Sequence, residues 1–250
     1  MGEIVYRLIW FQHIHKAAGT MVVNLAEANG EVLYPNNANG NPLDENGEKV
    51  ELWKHSDTEL GLFIDECEKM GVTFVATEHG SPDFNTLYED ERVVTITTLR
   101  EPVSRAVSNY NHAYYAGYTQ SRNLTEYLAE GRLFMSDNYY VRCFSRNEQL
   151  PLVKLSEEDL QTALGVLSKF DLVIQLGRDD VQGILGDELG WDECSVDTHP
   201  TFGNGWNLWN MIKKCKLGKA IRYLKKSDAP GDYSQLEGRY DLDAKLMEAI

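Results

Sequence analysis

The stretch Leu8-Ile9-Trp10-Phe11-Gln12-His13-Ile14-His15-Lys16-Ala17-Ala18-Gly19-Thr20, running on into Met21-Val22-Val23-Asn24-Leu25-Ala26-Glu27-Ala28, decides the class of fold. Residues 6–14 are apolar, β-branched and aromatic, which predicts a buried strand, and residues 21–28 suit a helix. A turn of small residues ending at Gly19 joins them. Strand, tight turn and helix in that order bring backbone N–H groups and a helix N-terminus together, an arrangement that holds anions through hydrogen bonds and the helix dipole. Lys16 adds a full positive charge and Thr20 a hydroxyl. The order is not that of a Walker loop, whose Lys follows the second Gly, whereas Lys16 precedes Gly19. Taken alone, the stretch reads equally as an ordinary strand-to-helix turn with an exposed Lys.

Outward from this unit the pattern repeats. Buried strands are expected at residues 72–76, 92–99 and 171–176, and helices at 59–70, 102–115, 124–131, 137–145, 157–170 and 181–189. Ser156, followed by Glu157, Glu158 and Asp159, has the form of a helix cap with an acidic first turn. Strands alternating with helices imply a parallel sheet with crossovers. Residues 35–49, rich in Asn, Gly and Pro, predict a long exposed loop or irregular hairpin, either a lid or a disordered excursion. Residues 213–226 hold seven Lys or Arg and no acidic residue, with Leu217, Ala220, Ile221 and Leu224 at helical spacing. They read as a solvated amphipathic helix packing one face. No repeat or linker divides the chain, so residues 1–250 are expected to form one domain.

Composition narrows the function. With 24 Lys and Arg against 39 Asp and Glu, the net charge is −15 over 250 residues. Such a surface repels phosphate backbones and anionic headgroups, so nucleic-acid and membrane-surface binding are disfavoured and any anion must be held locally. Cys67, Cys143, Cys194 and Cys215 lie far apart without zinc-ligand spacing, and no cluster of ligands argues for a metal. No run of 18 apolar residues or leader-like start is present, which makes the cytoplasm the expected compartment. A trimmed luminal domain is the alternative, and Asn123-Leu124-Thr125 matches a glycosylation sequon.

The second informative segment is Thr97-Thr98-Leu99-Arg100-Glu101-Pro102-Val103-Ser104-Arg105-Ala106-Val107-Ser108-Asn109-Tyr110. Arg100 ends a strand, Pro102 suits a first helical turn, and Ser108 follows about two turns in, so Arg100 and Ser108 can converge on one phosphate. His13-Ile14-His15-Lys16-Ala17-Ala18-Gly19-Thr20 and this segment, in this order, resemble the donor-binding motifs of sulfotransferases. The likeness is closest to carbohydrate sulfotransferases of the uronyl and heparan sulfate 2-O type. Asp137-Asn138-Tyr139-Tyr140-Val141-Arg142 and Phe170-Asp171-Leu172-Val173-Ile174-Gln175-Leu176-Gly177-Arg178 are similar to later segments of that group, so the likeness runs from about Leu8 to Trp191.

The resemblance implies an α/β, P-loop-kinase-like three-layer fold with a central parallel β-sheet flanked by helices. It implies 3′-phosphoadenosine 5′-phosphosulfate (PAPS) as donor and adenosine 3′,5′-bisphosphate (PAP) as product, with no metal. His15, Lys16, Ala17, Ala18, Gly19 and Thr20 correspond to the loop around the 5′-phosphosulfate, and Arg100 and Ser108 to the 3′-phosphate ligands. His15 stands where Pro is usual and Ala17-Ala18 replace Thr-Gly, and Ala18 restricts the loop if φ must be positive. Lys16 is the expected cation on the leaving phosphate oxygen. His79 is the expected base, with Glu78 as rival base or as its orienting partner. Asn138 and Arg142 are expected at the acceptor.

The acceptor implied by the charge is a neutral or weakly charged carbohydrate or small metabolite bearing a hydroxyl. The aromatics Tyr110, Tyr114, Tyr115, Tyr118, Tyr139, Tyr140, Trp206 and Trp209 are stacking candidates or core. Thr198 to Asn204 occupy the region expected to close over the donor. A P-loop-type phosphotransferase and a catalytically silent glycan- or partner-binding protein are the competing readings.

Overall fold

A computed structural model of the chain describes residues 6–192, 209, 212–213, 216–224 and 233–250. In chain order its strands are β1 (Leu8–Gln12), β2 (Asn37–Ala38), β3 (Asn41–Pro42), β4 (Phe74–Thr77), β5 (Val93–Leu99) and β6 (Leu172–Gln175). The helices are α1 (Gly19–Ala28), α2 (Asp57–Met70), α3 (Phe84–Glu89), α4 (Pro102–Ala116), α5 (Leu124–Ala129), α6 (Tyr139–Phe144), α7 (Glu157–Leu167), α8 (Val181–Leu189), α9 (Leu217–Leu224) and α10 (Asp241–Ala249). The expected α/β alternation is present, and α3 and α10 are helices the sequence pattern did not single out.

Four strands form one parallel sheet in the order β4-β1-β5-β6. Every residue of β1 is buried, as an apolar strand covered on both faces must be. Leu8, Trp10, Val75 and Leu99 belong to a core with α2, α3, α6, α7 and α10, while Ile9, Phe11, Phe74, Ala76, Ile96 and Ile174 pack with α1 and α8. These are the three layers. A smaller third core joins α4 and α5 to Leu236 and Tyr240.

Leu33 makes a single parallel bridge to Phe74, which puts it on the outer edge of β4. The chain therefore runs from β1 out to that edge, steps back to β4, and then crosses to β5 and β6. The outward passage uses α1 on one face, and the return uses α2, α3 and α7 on the other, as a single handedness of crossover requires. Beside β1 the direction of winding reverses. The carboxyl ends of β1 and β5 thus flank a topological switch point, where open α/β sheets leave a crevice for ligands.

Residues 35–49 are not a loose excursion. Asn37↔Pro42 and Ala38↔Asn41 pair as a two-residue hairpin, with Asn39 at φ 53° and Gly40 at φ 78°, the positive φ pair of a tight primed turn. A side chain at Gly40 would meet Ala76 Cβ at 3.0 Å, so the hairpin lies directly against β4. In the basic C-terminal region Ala220 is buried, but Ile221 and Leu224 are exposed, so the described residues cover only part of its expected apolar face.

Candidate functional site

The turn between β1 and α1 is strained where the sequence suggested it would be. Lys16 and Ala18 have φ of 67° and 64°, a left-handed conformation that costs an L-residue roughly 1–2 kcal/mol. It is held by the Ala17 N–H donating to Ile14 O at 3.0 Å and by the Thr98 hydroxyl donating to Ala17 O. Gly19 is obligatory for a different reason. A Cβ there would fall 1.7 Å from His13 Nε2, because the buried His13 ring, stacked on Phe11 with centroids 5.4 Å apart, lies against the start of α1.

No side chain caps α1. Among the described residues, α2, α3, α4, α5, α7 and α8 each receive an acceptor from their own N-cap residue. Asp243 supplies one to α6, and Asn138 one to α10. α1 differs from all of them, and its bare N-terminus opens at the switch point.

Across that point, Glu101 caps α4 by accepting from the N–H groups of Val103 and Ser104 at 2.9 and 2.6 Å, and Pro102 occupies the first turn. The Tyr140 hydroxyl bonds both the N–H and the carbonyl of Arg100, fixing that backbone. Neither the Arg100 guanidinium nor the Lys16 ammonium forms a hydrogen bond or ion pair with another described residue. Lys16 follows β1 and Arg100 follows β5, the strand beside it. Burial lowers the Lys16 pKa, the Glu78 carboxylate opposes that, and the charge of Arg100 adds a smaller lowering. Thr20 is exposed on the first turn of α1 and Ser108 is half-buried on α4.

Glu78, just beyond β4, is the centre of a cluster of imidazoles. Its Oε1 accepts from His15 Nδ1 at 2.5 Å and lies 3.7 Å from His13 Nε2, and its Oε2 is 3.8 Å from His79 Nε2. Burial opposes ionisation, but the His15 hydrogen bond and the surrounding imidazoles prevail and hold the carboxyl down at about 2. The hairpin buttresses this cluster, since Asn41 Oδ1 accepts from the Glu78 N–H at 2.8 Å and Lys49 Nζ meets His79 Nε2. Burial and the nearby Lys49 charge lower the His79 pKa. Phe134 covers the cluster, stacked on His15 with centroids 4.3 Å apart and tilted against His79 at 5.5 Å. Arg105, fully buried against the faces of Tyr139 and Tyr140, holds Phe134 through its carbonyl at 2.9 Å.

His79 and Phe134 also line a cleft of about 780 Å³, with Trp53, Ser81, Arg146 and Glu148 among its walls. The cleft contains cations, but each has a carboxylate: Lys54 pairs with Glu51 at 2.7 Å, Arg132 with Glu130 at 2.6 Å and Arg146 with Asp83 at 2.6 Å. Its basic side chains are thus ion-paired, unlike Lys16 and Arg100.

Asn138 and Arg142 are not brought into this cluster. Asn138 Oδ1 accepts from the N–H groups of Leu242 and Asp243 at 2.9 and 3.3 Å, and the buried Arg142 bonds Asp137 O, Asp137 Oδ1 and Asn147 O. Both hold α6 in place. Of the aromatics read as stacking candidates or core, Tyr110, Tyr115, Tyr139 and Tyr140 are core residues, whereas Tyr118 and Trp209 are exposed. Trp206 and Thr198 to Asn204 lie outside the described residues.

Sequence reasoning passed over His112. Its ring is 6.3 Å from that of His15, its Nδ1 is buried without a partner, and burial together with Lys16 lowers its pKa to about 4. The signal was present, because His112 follows Ser108 by four residues and so shares its helix face. Among the described residues no group of three or more His, Cys, Asp or Glu side chains is arranged to hold a metal. No protein-family model matches the chain, and no curated protein is significantly similar to it.

Proposed function

We propose that the protein is a sulfotransferase that moves a sulfuryl group from PAPS to a hydroxyl of a carbohydrate or small metabolite, on a sheet of the P-loop-kinase-like kind. The observation that carries this reading is the pair Lys16 and Arg100, two cations at the ends of neighbouring strands, neither in an ion pair with another described residue, at the switch point of a chain of net charge −15. Like charges that share a site and form no ion pair favour a multiply charged anion between them. The uncapped start of α1 and its left-handed turn add backbone donors on the same side. The motif resemblance then assigns Lys16 and residues 17–20 to the phosphosulfate end of PAPS, and Arg100 and Ser108 to its 3′-phosphate.

PAPS, when bound, supplies an activated sulfuryl group. Lys16 stabilises the negative charge that develops on the phosphate oxygen as that group departs. A base among the residues around Glu78 takes the proton of the acceptor hydroxyl. The acceptor lies in the cleft beside His79, where Trp53 and Phe134 offer apolar faces to a sugar ring and the compensated charges suit a neutral molecule. Of the residues around Glu78, His79 lines that cleft, and His15 adjoins Lys16 in the chain.

The reading is tested by incubating the protein with PAPS and a panel of neutral glycosides and hydroxylated metabolites, without magnesium, and measuring released PAP. Acceptor-dependent release that falls by about 10²–10³-fold in Lys16→Ala is the expected result. Magnesium-dependent consumption of ATP, or binding of PAPS with no turnover for any acceptor, would contradict it.

A further inference from the structure

We propose that the general base is His15, oriented by Glu78, rather than His79 or Glu78 itself. This rests on the sulfuryl-transfer reading and assigns its proton-transfer step. A neutral imidazole has one N–H and one lone pair, and the hydrogen bond made by one nitrogen decides which is which. Glu78 is held ionised and can only accept, so the 2.5 Å contact to His15 Nδ1 places the proton on Nδ1 and the lone pair on Nε2. His15 Nε2 has no partner among the described residues and is not sealed from solvent, its side chain being 18% exposed. The ring is also locked, stacked on Phe134 at one face. A carboxylate fixing the tautomer and plane of an imidazole, with the far nitrogen free, is the orienting arrangement used in acid–base dyads.

Among the described residues no other candidate has a carboxylate hydrogen-bonded to one nitrogen and a free second nitrogen. The Lys49 ammonium can only donate, so its contact with His79 Nε2 uses the His79 lone pair. His13 is buried behind Gly19 with its Nδ1 unpartnered and sealed. His112 likewise has its Nδ1 sealed, and burial lowers its pKa to about 4. Glu78 accepts from one imidazole and faces two more, which leaves it a weak base.

His15 also precedes Lys16 directly. One turn of chain therefore carries both the group that receives the acceptor's proton and the cation that meets the departing charge. In the step, the hydroxyl proton passes to His15 Nε2 while the hydroxyl oxygen bonds to sulfur. The sulfur–oxygen bond to the donor phosphate breaks, its electron pair remains on that phosphate oxygen beside Lys16, and the imidazolium is stabilised by Glu78.

Two measurements on the full chain test this. Nitrogen-15 spectra of the imidazoles at pH 7.5, with the His15 signals identified by their loss in His15→Gln, should show His15 protonated at Nδ1 only, with that preference weakened in Glu78→Gln. A His15 that is protonated at Nε2, or indifferent to Glu78→Gln, would overturn the dyad without reference to any reaction. In turnover with PAPS, His15→Gln should lower kcat by about 10²–10⁴-fold while PAP affinity stays within about threefold, and His79→Gln should lose less than about tenfold. The reverse ranking, with His79→Gln the more damaging, would overturn the assignment. A wild-type protein that does not bind PAP would remove the sulfuryl reading itself, and the base assignment with it, whereas the spectra would still decide the His15–Glu78 pair.

Discussion

Where α6 meets α10, each helix caps the other: Asn138 accepts from Leu242 and Asp243 at 2.9 and 3.3 Å, and Asp243 accepts from Tyr140 and Val141 at 3.2 and 3.0 Å. Where β1 runs into α1, none of this holds. The helix start is bare, Lys16 and Ala18 sit at positive φ, a conformation that Asn138 before α6 adopts with the tolerance of an asparagine, and neither Lys16 nor Arg100 forms an ion pair with another described residue. A chain that caps α2 to α8 and α10 has the means to cap α1. These departures from local consistency, gathered at one strand-to-helix turn, are what single it out as the candidate site.

The comparison breaks most visibly at Gly19. Gly19→Ala sets a methyl inside the His13 ring, so His13 must move and the start of α1 with it. A loss of about 2–3 kcal/mol in urea unfolding is expected. An unchanged midpoint would mean that the His13 packing does not constrain the turn.

Opposite signs are expected at two helix starts. Ser56→Ala removes the capping box of α2, in which Ser56 accepts from the Glu59 N–H, and should destabilise by about 1 kcal/mol. Ala18→Gly relieves the left-handed strain before α1 and should stabilise by about 0.5–1 kcal/mol. If both substitutions destabilise, the turn is not strained and the contrast between the regions fails.

Acid provides the smallest and most graded test. Burial lowers the pKa of His13 and His112 from 6.5 to about 4, so between those values the unfolded chain takes up protons that the folded chain does not. Stability must then fall as pH drops from about 6.5 towards 4, and these two groups add no further loss below that. Glu78, held down at about 2, acts in a lower window: its contribution is full above the ordinary carboxylate pKa and is lost as pH falls towards 2. His112→Gln should lose less stability than wild type between pH 6.5 and 4.5, measured by urea midpoints. Equal losses would show that His112 is not buried in the neutral form.

Much of this was legible in local pattern. The apolar run of β1, the capping signal at Ser156 and the placement of Arg100 at the end of β5 depend on neighbours within a few residues, and each appears as expected. Contacts between distant segments were not legible. The resemblance places Asn138 with Arg142 at the acceptor, whereas its partners, Leu242 and Asp243, lie about a hundred residues away and no periodicity links them. Residues 35–49 read as a long loop or an irregular hairpin, and two-residue strands are too short to show the alternation that would decide it; the hairpin at residues 37–42 brings Asn41 to Glu78. His15 was read only as part of the donor loop, since its pairing with Glu78 bridges 63 residues.

The central claim, that the bare turn and the two unpaired cations form a bisphosphate site, is tested most directly by calorimetric titration with PAP, adenosine 5′-phosphate and ATP in metal-free buffer. Wild type should bind PAP about 10–100-fold more tightly than adenosine 5′-phosphate, and Arg100→Ala should abolish most of that preference while changing adenosine 5′-phosphate binding little. Equal losses for both ligands in Arg100→Ala, or no selective binding of PAP by wild type, would contradict the account.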